Sequence, residues 1–237
     1  MEKGYLKLAY FFAAIALLTF IGFYKRYFAL FPQFEGLSAI HHAHALALMT
    51  WLGILIAQPV LIARKKLALH RAIGKFSYFL VPVMFVSMLL AYYAQYLRMI
   101  AEGKPESETL AFVFSPTTDA IPFVIFYLLA VWNKHDTARH MRYMIGTAVV
   151  IGGPGLARIF ISWMHMEFFA ALALLSLVTL LVFIALIVYD RVQKKQFRLN
   201  PYTICLLIWL VPNILITFFP NTALWQDFAR GLVRGVG

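Results

Sequence analysis

The chain has 237 residues, 62% of them hydrophobic and only 13% charged. Soluble domains are nearer half apolar and a quarter charged, so the composition excludes an ordinary soluble domain and points to a membrane protein with several spans. The net charge of +11 does not indicate nucleic acid. The basic residues cluster in short connections between apolar runs, where they set topology and meet anionic lipid. A single cysteine, Cys205, excludes an intramolecular disulfide and any cysteine-based zinc or iron–sulfur centre.

Seven apolar segments, at 6–24, 38–62, 76–100, 110–132, 143–163, 168–189 and 201–219, predict an all-α polytopic membrane helix bundle. No connection is long enough for a soluble domain, so residues 1–237 form a single integral membrane domain. No cleavage pattern follows the first segment, which is expected to stay as a signal anchor. Basic residues gather in three alternate connections: Arg64, Lys65, Lys66, Arg71 and Lys75; then Lys134, Arg139 and Arg142; then Arg191, Lys194, Lys195 and Arg198. The positive-inside rule makes these cytoplasmic, with the N-terminus inside and the C-terminus outside a bacterial inner membrane; Lys25 and Arg26 dissent on the outer side. The tail after the seventh span predicts an interfacial helix with Trp225 at headgroup level.

The second span begins HHAHALALMTWLGILIAQ. At ~100° per residue His41, His44, Trp51 and Gln58 share one face, and such a polar stripe is expensive against lipid. It is expected to face protein, a cofactor or a water-filled cavity. Two later spans carry helix breakers. Pro116 and Pro122 lie in the fourth and the glycines of 152–155 in the fifth, and both spans are expected to be interrupted around a cavity.

Asp119 and Arg158 lie at membrane depth in those two spans, where an unpaired charge costs several kcal/mol or more. They are expected to pair, as a catalytic or transport centre in an outward-facing chamber with His44, or as a salt bridge that fixes packing. His41, His44 and His165 are candidate metal ligands, His41 and His165 at its rim, and His165 lies in a Met-rich turn that suits copper, although ordinary interfacial packing is the stronger account of that turn. At the cytoplasmic ends, His70 and His140 sit beside Arg71 and Arg139, and Gln58 completes a second cluster. The bland account of these ends is that the arginines bind lipid phosphates and the histidines pack at the interface.

The stretches LALHRAIGKFSY and HMRYMIGTAVVIGGPGLARIF, with the preceding His…Gln span, resemble a pattern of uncharacterised bacterial multi-pass membrane proteins. The resemblance covers about a quarter of the chain. It implies that His44, Gln58, His70, His140, Arg142 and Arg158 belong together, and implies nothing about substrate.

Histidines on different helices of a bundle are the usual means of holding haem b. The leading expectation is therefore a redox membrane protein binding haem or a transition metal through His41, His44, Gln58, His70 and His140, with quinone as an electron partner. The competing expectations are a proton-coupled transporter or channel-like protein using Asp119 and Arg158, and an accessory subunit of a larger membrane complex.

Overall fold

A computed structural model describes residues 4–193 and 197–236. Lys194 and Lys195 of the third basic connection lie outside the described residues. Nine α-helices, and no strand, occur among the described residues: α1 (Tyr5–Tyr24), α2 (Ala39–Ala63), α3 (Leu67–Ala101), α4 (Glu106–Phe112), α5 (Thr117–Trp132), α6 (Thr137–Ser162), α7 (Phe168–Val192), α8 (Pro201–Leu215) and α9 (Ala223–Val236). Seven spans are long and apolar enough to cross a membrane, α4 and α5 together making the fourth. The chain is thus an all-α, polytopic integral membrane protein.

Local chemistry explains most boundaries. Ser38 and His41 form a reciprocal cap at the start of α2. Asp136 caps α6 by accepting from the Arg139 amide at 3.1 Å, and Asn200 caps α8, where Pro201 opens the helix. α3 begins at Leu67, well before the apolar run at 76, because nothing in LALHRAIGK opposes helix and α2 lies alongside to pack against it. The LHRAIG motif is therefore inside a helix rather than ahead of one.

The two expected interruptions part company. The fourth span does break, with residues 113–116 leaving the helix between α4 and α5, while Pro122 is accommodated inside α5. The fifth span does not: α6 runs unbroken through Gly152, Gly153, Pro154 and Gly155. Its glycines serve contact instead. A Cβ on Gly155 would meet the Thr19 Cα at 2.6 Å, and one on Gly22 would collide with the Gly155 carbonyl oxygen. Lipid offers no hydrophobic drive for two apolar helices to associate, so such close approach through small residues supplies the packing.

α6 is the hub. It touches α1, α5, α7 and α8, whereas α2 packs chiefly on α1 and α3. The core between them holds Trp51, Leu55, Phe126, Phe183 and Trp209. A second, smaller core forms where α9 covers α4, with Trp225 set edge-on to Phe114 at 4.9 Å and its Nε1 donating to the Leu110 carbonyl at 2.9 Å. Trp225 is thus packed within protein, and Leu224, Phe228 and Leu232 form the exposed apolar stripe of α9.

Candidate functional site

The helices alternate in direction, so the three basic connections fall at one end of the bundle, here the basic end. Lys25, one of the two dissenting cations at the opposite end, donates to the Ser162 carbonyl at 2.8 Å and lies 4.4 Å from the Trp163 ring.

The polar stripe of α2 meets α3, which runs antiparallel to it. His44 Nδ1 lies 3.1 Å from Ser87 Oγ, and at the other end Gln58 Nε2 donates to the His70 carbonyl at 3.2 Å. Between them Trp51 is fully buried, edge-on to Phe123 and Tyr127. Tyr127 in turn shares a 2.8 Å hydrogen bond with Ser77 of α3. From His44 to Gln58 the stripe faces protein.

The opposite end does not gather its histidines. His41 spends Nδ1 on the α2 cap, 3.1 Å from the Ser38 amide and 2.9 Å from its hydroxyl. His42 is held by the Tyr27 hydroxyl at 2.8 Å and by the edge of Phe34. His165 sits in an exposed turn with φ 55 after α6. Among the described residues no three His, Cys, Asp or Glu side chains converge as a metal site, so His41, His44 and His165 are not assembled as one.

Asp119 and Arg158 come within electrostatic range of each other and of Tyr92, and His44 is in range of Arg158. They form no ion pair among the described residues, contrary to expectation. The reason lies on α6. Arg158 is five residues beyond Gly153, hence ~140° around the helix and ~7.5 Å along it. Arg158 turns toward α1, donating to the Pro154 carbonyl at 2.9 Å and lying 4.2 Å from the Phe23 ring. Asp119 instead approaches α6 at Gly153, where an added Cβ would stand 3.7 Å from its Oδ1. Its carboxylate borders a cavity of ≈ 80 Å³ lined also by Thr118, Ser176, Thr179, Trp209 and Asn213.

At the basic end three helices contribute Gln58, His70 and His140. His140 Nδ1 is 2.8 Å from the Ala130 carbonyl, which can only accept, so this nitrogen carries the proton. His140 lies within electrostatic range of His70. Two buried atoms of this cluster, Gln58 Oε1 and His70 Nδ1, have no hydrogen-bond partner among the described residues, as is true of Trp51 Nε1.

Close by is a pair that sequence reasoning missed. Arg142 does not reach out to lipid phosphates. Its Nε and Nη2 donate to the two carboxylate oxygens of Asp190, each at 2.7 Å, and both side chains are 2% exposed. Asn200 adds a bond to Asp190 at 3.1 Å, and the Phe197 ring lies 4.7 Å from the guanidinium. Asp190 stands next to Arg191 at the end of an apolar span, where a carboxylate is indistinguishable in sequence from an interfacial charge. The residues implied to belong together are accordingly split. Gln58, His70 and His140 share the basic end with Arg142, while His44 and Arg158 lie at the other.

Fold and composition define the class: an integral membrane protein with seven apolar spans and polar clusters at both ends. No protein-family model, curated protein or solved structure matches the chain.

Proposed function

We propose that this is a redox-active membrane protein holding a cofactor at its basic end, haem b being the group the donor set fits best. The observation that carries the reading is the pair of buried atoms without partners, His70 Nδ1 and Gln58 Oε1, beside His140. Without water, each such atom costs on the order of 1–3 kcal/mol, which a bound group can offset. The proton on His140 Nδ1 leaves Nε2 with its lone pair, the tautomer used by metal-ligating histidines whose other nitrogen donates to a carbonyl. Haem would need only two imidazoles from different helices, which His70 of α3 and His140 of α6 would supply. A bare transition metal asks for a larger converging set, and the described residues offer none. When bound, haem supplies one-electron transfer, and a quinone is the partner of matching chemistry. In this reading the Ala130 carbonyl orients the His140 ring, and Gln58 ties α2 to the His70 turn. The basic end faces the cytoplasm of a bacterial inner membrane and contacts anionic lipid.

The test is the visible spectrum of protein purified in detergent. A Soret band that shifts on dithionite reduction, disappears in His140→Ala and persists in His165→Ala is the expected result. Colourless protein with no bound transition metal rejects the reading.

A second reading makes the chamber at Asp119 a proton-coupled solute pathway. It is favoured by one observation, a carboxylate at membrane depth beside a broken helix, with no side-chain hydrogen bond or ion pair among the described residues. Colourless protein whose transport into vesicles is abolished by Asp119→Asn would put it ahead.

A further inference from the structure

Independently of the histidine cluster, the cavity beside Asp119 has the makings of a cation site. Its lining joins four helices: Asp119 and Thr118 from the first turn of α5, Gly153 from α6, Ser176 and Thr179 from α7, and Asn213 from α8. The polar groups in it are oxygen-rich and underused. Intramembrane hydroxyls in this bundle commonly bond back to a carbonyl of the preceding turn, as Thr19, Thr50 and Thr147 do. Ser176 and Thr179 belong to the same kind of helix but make no side-chain hydrogen bond among the described residues. Asn213 commits its Nδ2 to the Trp209 carbonyl at 2.9 Å and the Thr118 carbonyl at 3.4 Å, leaving Oδ1 as the free end of the amide.

The carboxylate is equally uncommitted. Arg158, the nearest candidate counter-ion, is engaged by the Pro154 carbonyl and Phe23 on the α1 side of α6. A carboxylate in so dry a place needs compensation by a proton or a cation. Gly153 carries no side chain to fill the space beside Asp119, and the break between α4 and α5 puts irregular backbone next to the cavity, as at ion sites in transporters.

We propose that this cavity binds a small monovalent cation of sodium size, with Asp119 neutralising it and Ser176, Thr179 and Asn213 offering neutral oxygens. Hard oxygen donors suit an alkali ion rather than a soft transition metal. The ≈ 80 Å³ of space admits one such ion with a water or two, given the ~30 Å³ that a water occupies in the liquid.

The experiment is thermal unfolding of the purified full chain in NaCl, KCl and choline chloride at equal ionic strength, paired with ²²Na⁺ binding. A ligand that binds only the folded state raises its melting temperature, and the expected rise is on the order of 5 °C in saturating sodium, with little in potassium or choline. Asp119→Asn should abolish both the shift and the bound ²²Na⁺. Thr179→Val, which keeps shape and loses one oxygen, should raise the half-maximal sodium concentration by roughly tenfold. An equal response to all three salts overturns the proposal. So does a melting temperature that follows pH but not sodium, since the carboxyl would then carry a proton. Sodium binding that survives in Asp119→Asn, or is unchanged in Thr179→Val if Asp119→Asn does not fold, overturns it as well.

Discussion

Two of the three arginines on α6, Arg142 and Arg158, lie about four turns apart, and their fates differ. Arg142 is locked to both oxygens of Asp190, with Asn200 completing the carboxylate's shell. Arg158 holds a backbone carbonyl and an aromatic face, while Asp119, an acid in its range, looks into a cavity. The first pair is chemically finished and therefore structural. The second leaves a charge with spare valence at membrane depth, the condition under which a protein can bind or move something. Charge at depth is thus not one signal but two, distinguished by whether the carboxylate's partners are already supplied.

The sharpest way to break this comparison is to remove one member of the finished pair. Asp190→Ala should destabilise the protein by about 3–5 kcal/mol, because it strands a buried guanidinium. Urea or thermal unfolding in detergent measures it, and the double variant Arg142→Met/Asp190→Leu should recover most of the loss. If Asp190→Ala is instead silent, the pair is not structural.

On the hub helix, Gly155→Ala should cost about 1–3 kcal/mol by forcing α1 away from α6. Gly153→Ala, whose Cβ would find only ordinary contacts at 3.7 Å or more, should be neutral within about 0.5 kcal/mol. Equal losses at the two glycines would show that helix breaking rather than close approach governs this stretch. A smaller change follows from Ser38→Ala, which removes the hydroxyl of the α2 cap and should cost about 1 kcal/mol. Last comes Asp119→Asn without added salt. It should shift stability by less than about 0.5 kcal/mol, since no protein group is left unpaired when the charge goes. A loss as large as that of Asp190→Ala would erase the contrast between the two acids.

How much of this was legible depends on whether the signal is local. Spans and basic connections follow from hydropathy and charge, and the helices observe them closely. That α2's stripe meets protein is also legible, because lipid penalises it wherever the helix sits. Which protein it meets is not, since the His44–Ser87 and Gln58–His70 contacts depend on how α3 lies against α2. The glycines of 152–155 mislead for a definite reason. Propensity counts their cost to an isolated helix, whereas their benefit is collected from Thr19 and Gly22 on another. Asp119 and Arg158 invite pairing because both are expensive alone, yet the angle between Arg158 and Gly153 on α6 directs them to different neighbours. Asp190 escapes notice because its partner lies a whole span earlier in the chain.

The close approach of α1 and α6 also has a bearing on assembly. A polytopic chain is made from its N-terminus, so α1 and α2 are present before the helix that holds Gly155 exists. Through the synthesis of four intervening helices the notch at Thr19 and Gly22 lacks the glycine that fills it. When α6 arrives it brings the matching glycine, together with its contacts to α5 and its future contacts to α7 and α8. The seat of α1 is therefore completed only when α6 arrives, and a bulky residue at Gly22 would be felt not when α1 inserts but when α6 does.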